Sequence, residues 1–183
     1  MKYLVFNKPY GVLCQFTDQD GRPTLKDYIS TPNVYAVGRL DIDSEGLLLL
    51  TDDGELNHAL ADPKKKQFKT YIAQVEGIPT SGMINRLRNG VLIKDKKTLP
   101  AQINPLPDYI EPWPRPIPIR FRKNVPTTWL EIKIREGMNH QVKKMTAAVG
   151  LPCLRLIRTA IGPLELKDLK PGEFTEISKP QGA

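Results

Sequence analysis

The segment GRLDIDSEGLLLL, residues 38–50, joins an acidic stretch directly to four consecutive leucines. A short apolar run of this length predicts a strand that is buried on both faces. The residues before it include three carboxylates within five positions, Asp41, Asp43 and Glu45. Carboxylates at the edge of a core are unfavourable unless a cation pairs with them. The segment therefore predicts a buried strand with a charged site at its entrance.

Outward from this segment, alternating apolar residues predict a sheet with several further strands. In the strand expected at residues 69–76, Tyr71, Ala73 and Val75 share one face. Residues 100–126 contain eight prolines, which exclude a central strand or a long helix and favour extended, edge-like structure. The other strands are expected at residues 2–7, 34–37, 47–50, 129–135, 154–159 and 174–177.

Capping residues predict four helices between these strands. Thr24 precedes a short helix, and Asp53 or its neighbours precede one that ends near residue 60. A third helix over residues 81–88 ends at Gly90, and Asn139 is expected to cap a fourth over residues 140–149. Strands outnumber helices without regular alternation, so the expected fold class is α+β, with a mixed, mostly antiparallel sheet and flanking helices.

The charge distribution points to a polyanionic partner. The 183 residues carry a net charge of +7, with −5 in residues 1–62 and +8 in residues 113–158. Such asymmetry is typical of nucleic-acid binding, although a solvated basic surface is the alternative. No apolar run approaches the length of a membrane span, and the N-terminus lacks a signal-peptide pattern. Two cysteines far apart favour a reducing compartment, the cytoplasm, and predict no metal site.

The acidic segment allows three interpretations. It imitates the start of a calcium-binding loop, but leucines occupy positions 47–50 where ligands are needed, and Asp52 stands where a bidentate glutamate belongs. The other two interpretations are a solvated polar turn and a catalytic carboxylate beside an arginine or lysine. A hydrolase that uses Asp41 and Asp43 as paired carboxylates is a further alternative.

Five motifs in order carry a resemblance to a known family. They resemble the motifs of the ribosomal small-subunit type A pseudouridine synthases, and several short segments are closer to the ribosomal large-subunit group E synthases. That family implies a catalytic domain with two lobes around an active-site cleft. The five motifs are NKPYG (7–11), GRLDIDSEGLLLLTDDGEL (38–56), KTY (69–71) followed by VEG, REGMNHQVKKM (135–145) and LRLIRTAIGPLEL (154–166); the closer segments are TLPA (98–101), WPR (113–115) and PTTWL (126–130).

The resemblance implies isomerisation of a specific uridine to pseudouridine in ribosomal RNA, most closely 23S rRNA, without a cofactor. It implies that Asp41 is the essential carboxylate and that Lys143 pairs with it. Tyr71 would stack on the flipped base and assist proton removal, and Leu156 would pack on the other side. Arg39 would help to hold the RNA open or would occupy the place that the flipped base leaves. A non-catalytic RNA-binding or ribosome-assembly protein with the same fold is the alternative.

The remaining expectations concern RNA binding. Relatives often carry an S4-type RNA-binding module before the first motif, whereas this chain begins near that motif, so residues 1–183 are expected to form one catalytic domain that binds RNA itself as a monomer. Lys143 is expected to share a buried helix face with Ala147, and Lys144 to face solvent or phosphate. Met138 departs from relatives that carry a basic residue there. Further RNA contacts are expected from Arg115, Arg120 and Arg122.

Overall fold

The computed structural model describes residues 1–62, 67–108, 110 and 112–181. They form two compact units. The first unit is Met1–Gln67 together with Arg158–Ala183, and the second is Phe68–Ile157. The chain therefore leaves the first unit, completes the second, and returns to the first.

The described elements confirm a mixture of strands and short helices. The helices are α1 (Gly54–Ala61), α2 (Ser81–Asn89) and α3 (Gln141–Ala148), with a single 3-10 turn at Leu25–Asp27. The strands are β1 (Tyr3–Lys8), β2 (Tyr35–Val37), β3 (Glu45–Thr51), β4 (Lys69–Glu76), β5 (Leu92–Ile93), β6 (Lys96–Lys97), β7 (Gln102–Pro105), β8 (Thr127–Ile134), β9 (Cys153–Ile161), β10 (Leu164–Glu165) and β11 (Phe174–Glu176).

The first unit is built around the predicted leucine strand. β1 pairs antiparallel with β3, with Phe6 opposite Leu48, and β1 also pairs with β11. Every residue of β1 and β3 is buried, so the strands need apolar partners on both faces. One face packs in a cluster of Leu4, Phe6, Cys14, Leu25, Ile29, Val34, Leu48 and Leu50, and a second cluster contains Tyr3, Val37, Leu49 and Leu56.

Gly46 is a position where only glycine fits. Its φ angle is +104°, a conformation that side chains rarely adopt. A Cβ atom at Gly46 would lie 2.8 Å from the backbone nitrogen of Arg158 and closer still to its carbonyl oxygen. The glycine therefore permits the start of β3 to approach the Arg158 backbone of β9.

The second unit contains an antiparallel sheet with the order β4-β8-β7. In β4, Tyr71, Ala73 and Val75 are buried, as their alternation predicts. β7 pairs with β8 at the end of this order and contains Pro105, in agreement with the predicted edge position. Helix α2 contacts β7, and helix α3 contacts β5.

Two predicted helix starts differ from the structure. The segment after Thr24 forms only a 3-10 turn, although its capping box with Asp27 is present. Helix α3 begins after His140 and not after Asn139, and His140 adopts a left-handed conformation without a side-chain capping bond. The prediction that Asn139 caps this helix is therefore wrong. Asp53 does cap α1, by accepting a hydrogen bond from the Leu56 amide at 3.0 Å.

The predicted fold class is confirmed: the protein is α+β, with mostly antiparallel strand pairing and flanking helices. Of the helices within the described ranges, none has both the length and the apolarity that a membrane crossing requires.

Candidate active site

The predicted site residues are distributed over both units. Arg39 and Asp41 belong to the first unit. The second unit contains the other seven: Tyr71, Arg115, Arg120, Arg122, Lys143, Lys144 and Leu156.

Asp41 begins a tight turn that leads into β3. The Ser44 amide donates to the Asp41 carbonyl at 3.0 Å, which closes the turn. Asp41 is half-buried, whereas Arg39 and Asp43 are exposed. The segment is therefore not extended, and the carboxylates of Asp41 and Asp43 differ in their exposure to solvent.

The predicted first motif, NKPYG, supports this turn through backbone hydrogen bonds. The Gly11 amide donates to the Ile42 carbonyl at 2.8 Å. The Lys8 ammonium donates to the Pro9 and Val12 carbonyls at 2.8 Å each, and lies 3.4 Å from the Ile42 carbonyl. Lys8 thus connects its own loop with the centre of the turn that contains Asp41.

Lys8 is fully buried, and this burial lowers its pKa to about 8. The charges of Glu45, Asp43 and Asp41, together with the Cys14 thiol, act in the opposite direction because they favour the protonated amine. A buried cation therefore lies within electrostatic range of all three carboxylates of the acidic segment.

Sequence reasoning missed Lys8 as part of the site, since it sought a cation only in the basic region 113–158. A signal was present: Lys8 continues the alternation of Leu4 and Phe6 along a strand that is buried on both faces. A lysine at such a position requires polar partners in the interior.

In the second unit, Tyr71 lies on β4 opposite Ile132 of β8 and is 8% exposed. Leu156 lies on β9 and is 5% exposed. An aromatic ring and an aliphatic side chain are the two surfaces that hold a flipped base. Both side chains are largely buried.

The loop before helix α3 is held by the buried side chain of Gln141. Its amide nitrogen donates to the Glu136 carboxylate at 2.8 Å, and its amide oxygen accepts from the Met138 amide at 3.1 Å. The Glu136 carboxylate also accepts from the Leu99 amide at 2.9 Å. These bonds fix the start of the helix that carries Lys143 and Lys144, and they replace the predicted Asn139 cap.

The two lysines of α3 are both half-buried. The buried face of the helix consists of Gln141, Val142, Met145 and Thr146. Ala147 is exposed, so the prediction that Lys143 shares a buried face with Ala147 is wrong. Because Lys144 is half-buried like Lys143, exposure alone does not distinguish the two lysines.

Residues 113–126, named here the arginine segment, contain the three predicted RNA-binding arginines. No helix or strand forms in this segment, which agrees with the prediction that its prolines exclude a central strand or a long helix. The Arg115 guanidinium approaches the Leu154 carbonyl at 3.4 Å, and Arg122 forms an ion pair with Glu76 at 3.1 Å. Arg120 is exposed. All three predicted arginines therefore lie on one stretch that is fixed at several points.

A metal site in a protein is usually built from three or more His, Cys, Asp or Glu side chains that lie close together. In the part of the chain that the structure describes, no three of these side chains form such a group. Cys14 and Cys153 are free thiols, the first buried and the second half-buried.

The sequence resemblance assigned three features to a pseudouridine synthase. They are an acidic turn before a buried strand, a buried strand tyrosine and a basic helix. The family model described as RNA pseudouridylate synthase matches residues 2–148. The chain belongs to this family, as predicted.

Within the family, the chain is similar to proteins named ribosomal large subunit pseudouridine synthase E. The protein of that name from Vibrio vulnificus is 54% identical over 98% of this chain and 76% of its own length. Its counterpart from Xanthomonas campestris pv. campestris is also 54% identical, over 93% of this chain and 92% of its own length. The predicted resemblance to the group E synthases is confirmed.

A solved structure supports the fold independently. A crystal structure described as pseudouridylate synthase matches with a TM-score of 0.80 at 30% identity, over 97% of this chain and 70% of that one. The agreement at this level of identity confirms the predicted catalytic fold.

Proposed function

We propose that this protein isomerises a specific uridine to pseudouridine in ribosomal RNA of the large subunit. The observation that carries the proposal is the 54% identity to a named large subunit pseudouridine synthase E over more than nine-tenths of both chains. The Asp41 turn supports it. The Asp41 carboxylate is half-buried and lies within electrostatic range of the buried Lys8 cation, an environment that suits a nucleophile or a general base.

The reaction rearranges bonds within one nucleotide. The glycosidic bond between N1 and C1′ breaks, the base turns, and a bond forms between C5 and C1′. The C5 proton leaves and N1 gains a proton, so atoms and electrons balance. Neither an oxidant nor a group donor enters the balance, so the proposal needs no cofactor.

The proposed roles follow the sequence predictions. Asp41 acts on the ribose or the base as nucleophile or general base, and Lys143 pairs with its carboxylate. Tyr71 and Leu156 hold the flipped base between them, and the Tyr71 hydroxyl assists removal of the C5 proton. Arg39, exposed beside the turn, stabilises the opened RNA. The proposal requires both units to contribute to one catalytic domain.

The proposed substrate is 23S rRNA, and the proposed active species is a cytoplasmic monomer. The name of the relatives specifies the large ribosomal subunit, whose long RNA in bacteria is the 23S molecule. The four basic residues of the arginine segment are proposed to bind its phosphates, together with Lys144. Mapping of pseudouridine in 23S rRNA from a deletion strain tests the substrate, and sedimentation of the purified protein tests the monomer.

The reaction itself is tested by incubating the protein with rRNA labelled in uridine and digesting the RNA to nucleosides. Formation of labelled pseudouridine is the expected result. Released uracil or a cleaved strand would identify a hydrolase. Unchanged RNA that nevertheless binds tightly would identify a non-catalytic RNA-binding protein.

A further inference from the structure

Phe121 is the most exposed large apolar side chain among the described residues. Its exposed fraction is 85%, compared with 70% for Ile78 and 59% for Ile117. Burial of a phenylalanine side chain is worth roughly 2–3 kcal/mol, which this position forgoes in the free protein. A single exposed apolar residue is common on protein surfaces and does not by itself indicate a binding site. The residues around Phe121 must therefore show whether it belongs to one.

The sequence around Phe121 is basic. Phe121 stands between Arg120 and Arg122, and Lys123 follows. The arginine segment contains four basic residues and no acidic residue in 14 positions. Any partner that covers the ring must therefore accept several positive charges, which favours a polyanion over an apolar protein surface.

The segment is also anchored on both sides of Phe121. Before it, Arg155 donates to the Trp113 carbonyl at 2.7 Å, and Arg115 reaches the Leu154 carbonyl. After it, the Gly77 amide donates to the Pro126 carbonyl at 2.7 Å, and the Glu76 carboxylate holds Arg122. Prolines at 114, 116 and 118 further limit the conformations of the backbone. An exposed ring on a segment held in this way loses little entropy on binding.

We propose that Phe121 stacks on an unpaired base of the RNA substrate, outside the target uridine, while Arg120 and Lys123 contact the adjoining phosphates. Bases have apolar faces on a polyanionic backbone, and this is the combination that an exposed ring among cations fits. Stacking tolerates any base, so the contact adds affinity for single-stranded RNA and does not specify sequence. This inference rests on the proposed function and adds a second base-binding position to it.

The test compares binding of fluorescent single-stranded RNA and of an RNA duplex of the same length. Phe121→Ala is expected to weaken single-strand binding by about 5- to 100-fold, the range for loss of one stacked base, and to leave duplex binding unchanged. Phe121→Trp should restore the affinity. The matched control is Ile117→Ala, which removes an exposed apolar side chain from the same segment and should have no effect.

A further readout separates stacking from charge. Since Phe121 carries no charge, its removal should leave the salt dependence of binding unchanged. Equal loss of affinity for single strand and duplex, normal single-strand binding by Phe121→Ala, or an effect confined to self-association in sedimentation would each overturn the inference.

Pseudouridine formation by the unmodified protein is assayed separately. If pseudouridine forms but Phe121→Ala binds normally, only the stacking contact is refuted. If no pseudouridine forms while the binding difference persists, only the proposed reaction is refuted.

Discussion

The Asp41 turn and the arginine segment hold charge in opposite ways. Near the turn, the Lys8 ammonium is fully buried and surrounded by backbone carbonyls, and it lies close to several carboxylates. In the arginine segment, cations are mostly exposed, and fixed contacts hold the backbone that presents them. The first arrangement holds charge rigidly away from water, whereas the second presents it to water and to a partner.

The difference separates two kinds of effect. A buried, preorganised charge changes the energy of a reacting group strongly, because little water screens it. Exposed cations mainly change affinity and its dependence on salt. Substitutions near the turn and in the parts proposed to meet it should therefore alter turnover or stability, and substitutions in the arginine segment should alter binding.

The largest expected effect among the basic residues is that of Lys143→Met. Loss of the cation proposed to pair with Asp41 should lower the single-turnover rate by about 150- to 5,000-fold, since a charge left without its partner costs roughly 3–5 kcal/mol and about 1.4 kcal/mol is tenfold in rate. RNA affinity should change little, and Lys143→Arg should retain part of the rate. Lys144→Met should show the reverse pattern, with weaker binding and a normal rate. Normal turnover by Lys143→Met with loss of activity in Lys144→Met would assign the pairing to the other lysine.

The second effect concerns Lys8 and the free energy of unfolding as a function of pH. The pKa of Lys8 is about 8 in the folded protein against 10.5 ordinarily, so between these values the unfolded chain binds more protons. The free energy of unfolding should therefore rise with pH in this window, by about 3 kcal/mol relative to Lys8→Met, and the difference should be constant below it.

Chemical denaturation of both proteins from pH 7 to 10.5 measures this change. Lys26→Met, which alters an exposed lysine of the same unit, should show no such difference from the unmodified protein. A difference between the unmodified protein and Lys8→Met that stays flat across the window would mean that Lys8 titrates normally.

The predictions for Lys143 and Lys8 rest on features that differ in how far they could be predicted from the sequence. The alternation of Tyr71, Ala73 and Val75 has the period of a strand, and prolines near residue 105 indicate an edge; both features are local and were predictable. The partners of Lys8 were not, because one of its contacts, the Ile42 carbonyl, is 34 residues away along the chain. The start of α3 was missed for a related reason. Asn139 is a good capping residue by type, but the buried Gln141 organises that loop instead.

A smaller effect is expected for Tyr71→Phe. The ring and its burial remain, so stacking and RNA affinity should be retained. Loss of the hydroxyl should lower the single-turnover rate by about 100-fold, the low end for general acid–base catalysis, if the hydroxyl assists proton transfer. Measurement of the rate with C5-tritiated uridine in the RNA tests this role. An unchanged rate would restrict Tyr71 to packing against the base.

The smallest effect on turnover is expected in the arginine segment. Simultaneous replacement of Arg115, Arg120 and Arg122 by glutamine should reduce the slope of log affinity against log salt by roughly 2 to 3, since each phosphate contact contributes about 0.7–0.9. The rate at saturating RNA should remain normal. The control replaces three exposed lysines of the first unit, at positions 26, 167 and 170, and should leave the slope unchanged. An unchanged slope in the arginine variant would place the RNA elsewhere.

The central claim is that Asp41 carries out the isomerisation. The side-chain amide of Asp41→Asn has nearly the size of the carboxylate, so the backbone turn should be retained, but the amide cannot act as nucleophile or base. The decisive measurement is tritium release from C5-labelled rRNA by the unmodified protein and by Asp41→Asn under single-turnover conditions, with RNA affinity and unfolding measured in parallel. The account predicts normal folding, near-normal affinity and a rate lowered by at least about 1,000-fold. Substantial tritium release by the folded Asp41→Asn variant would contradict it.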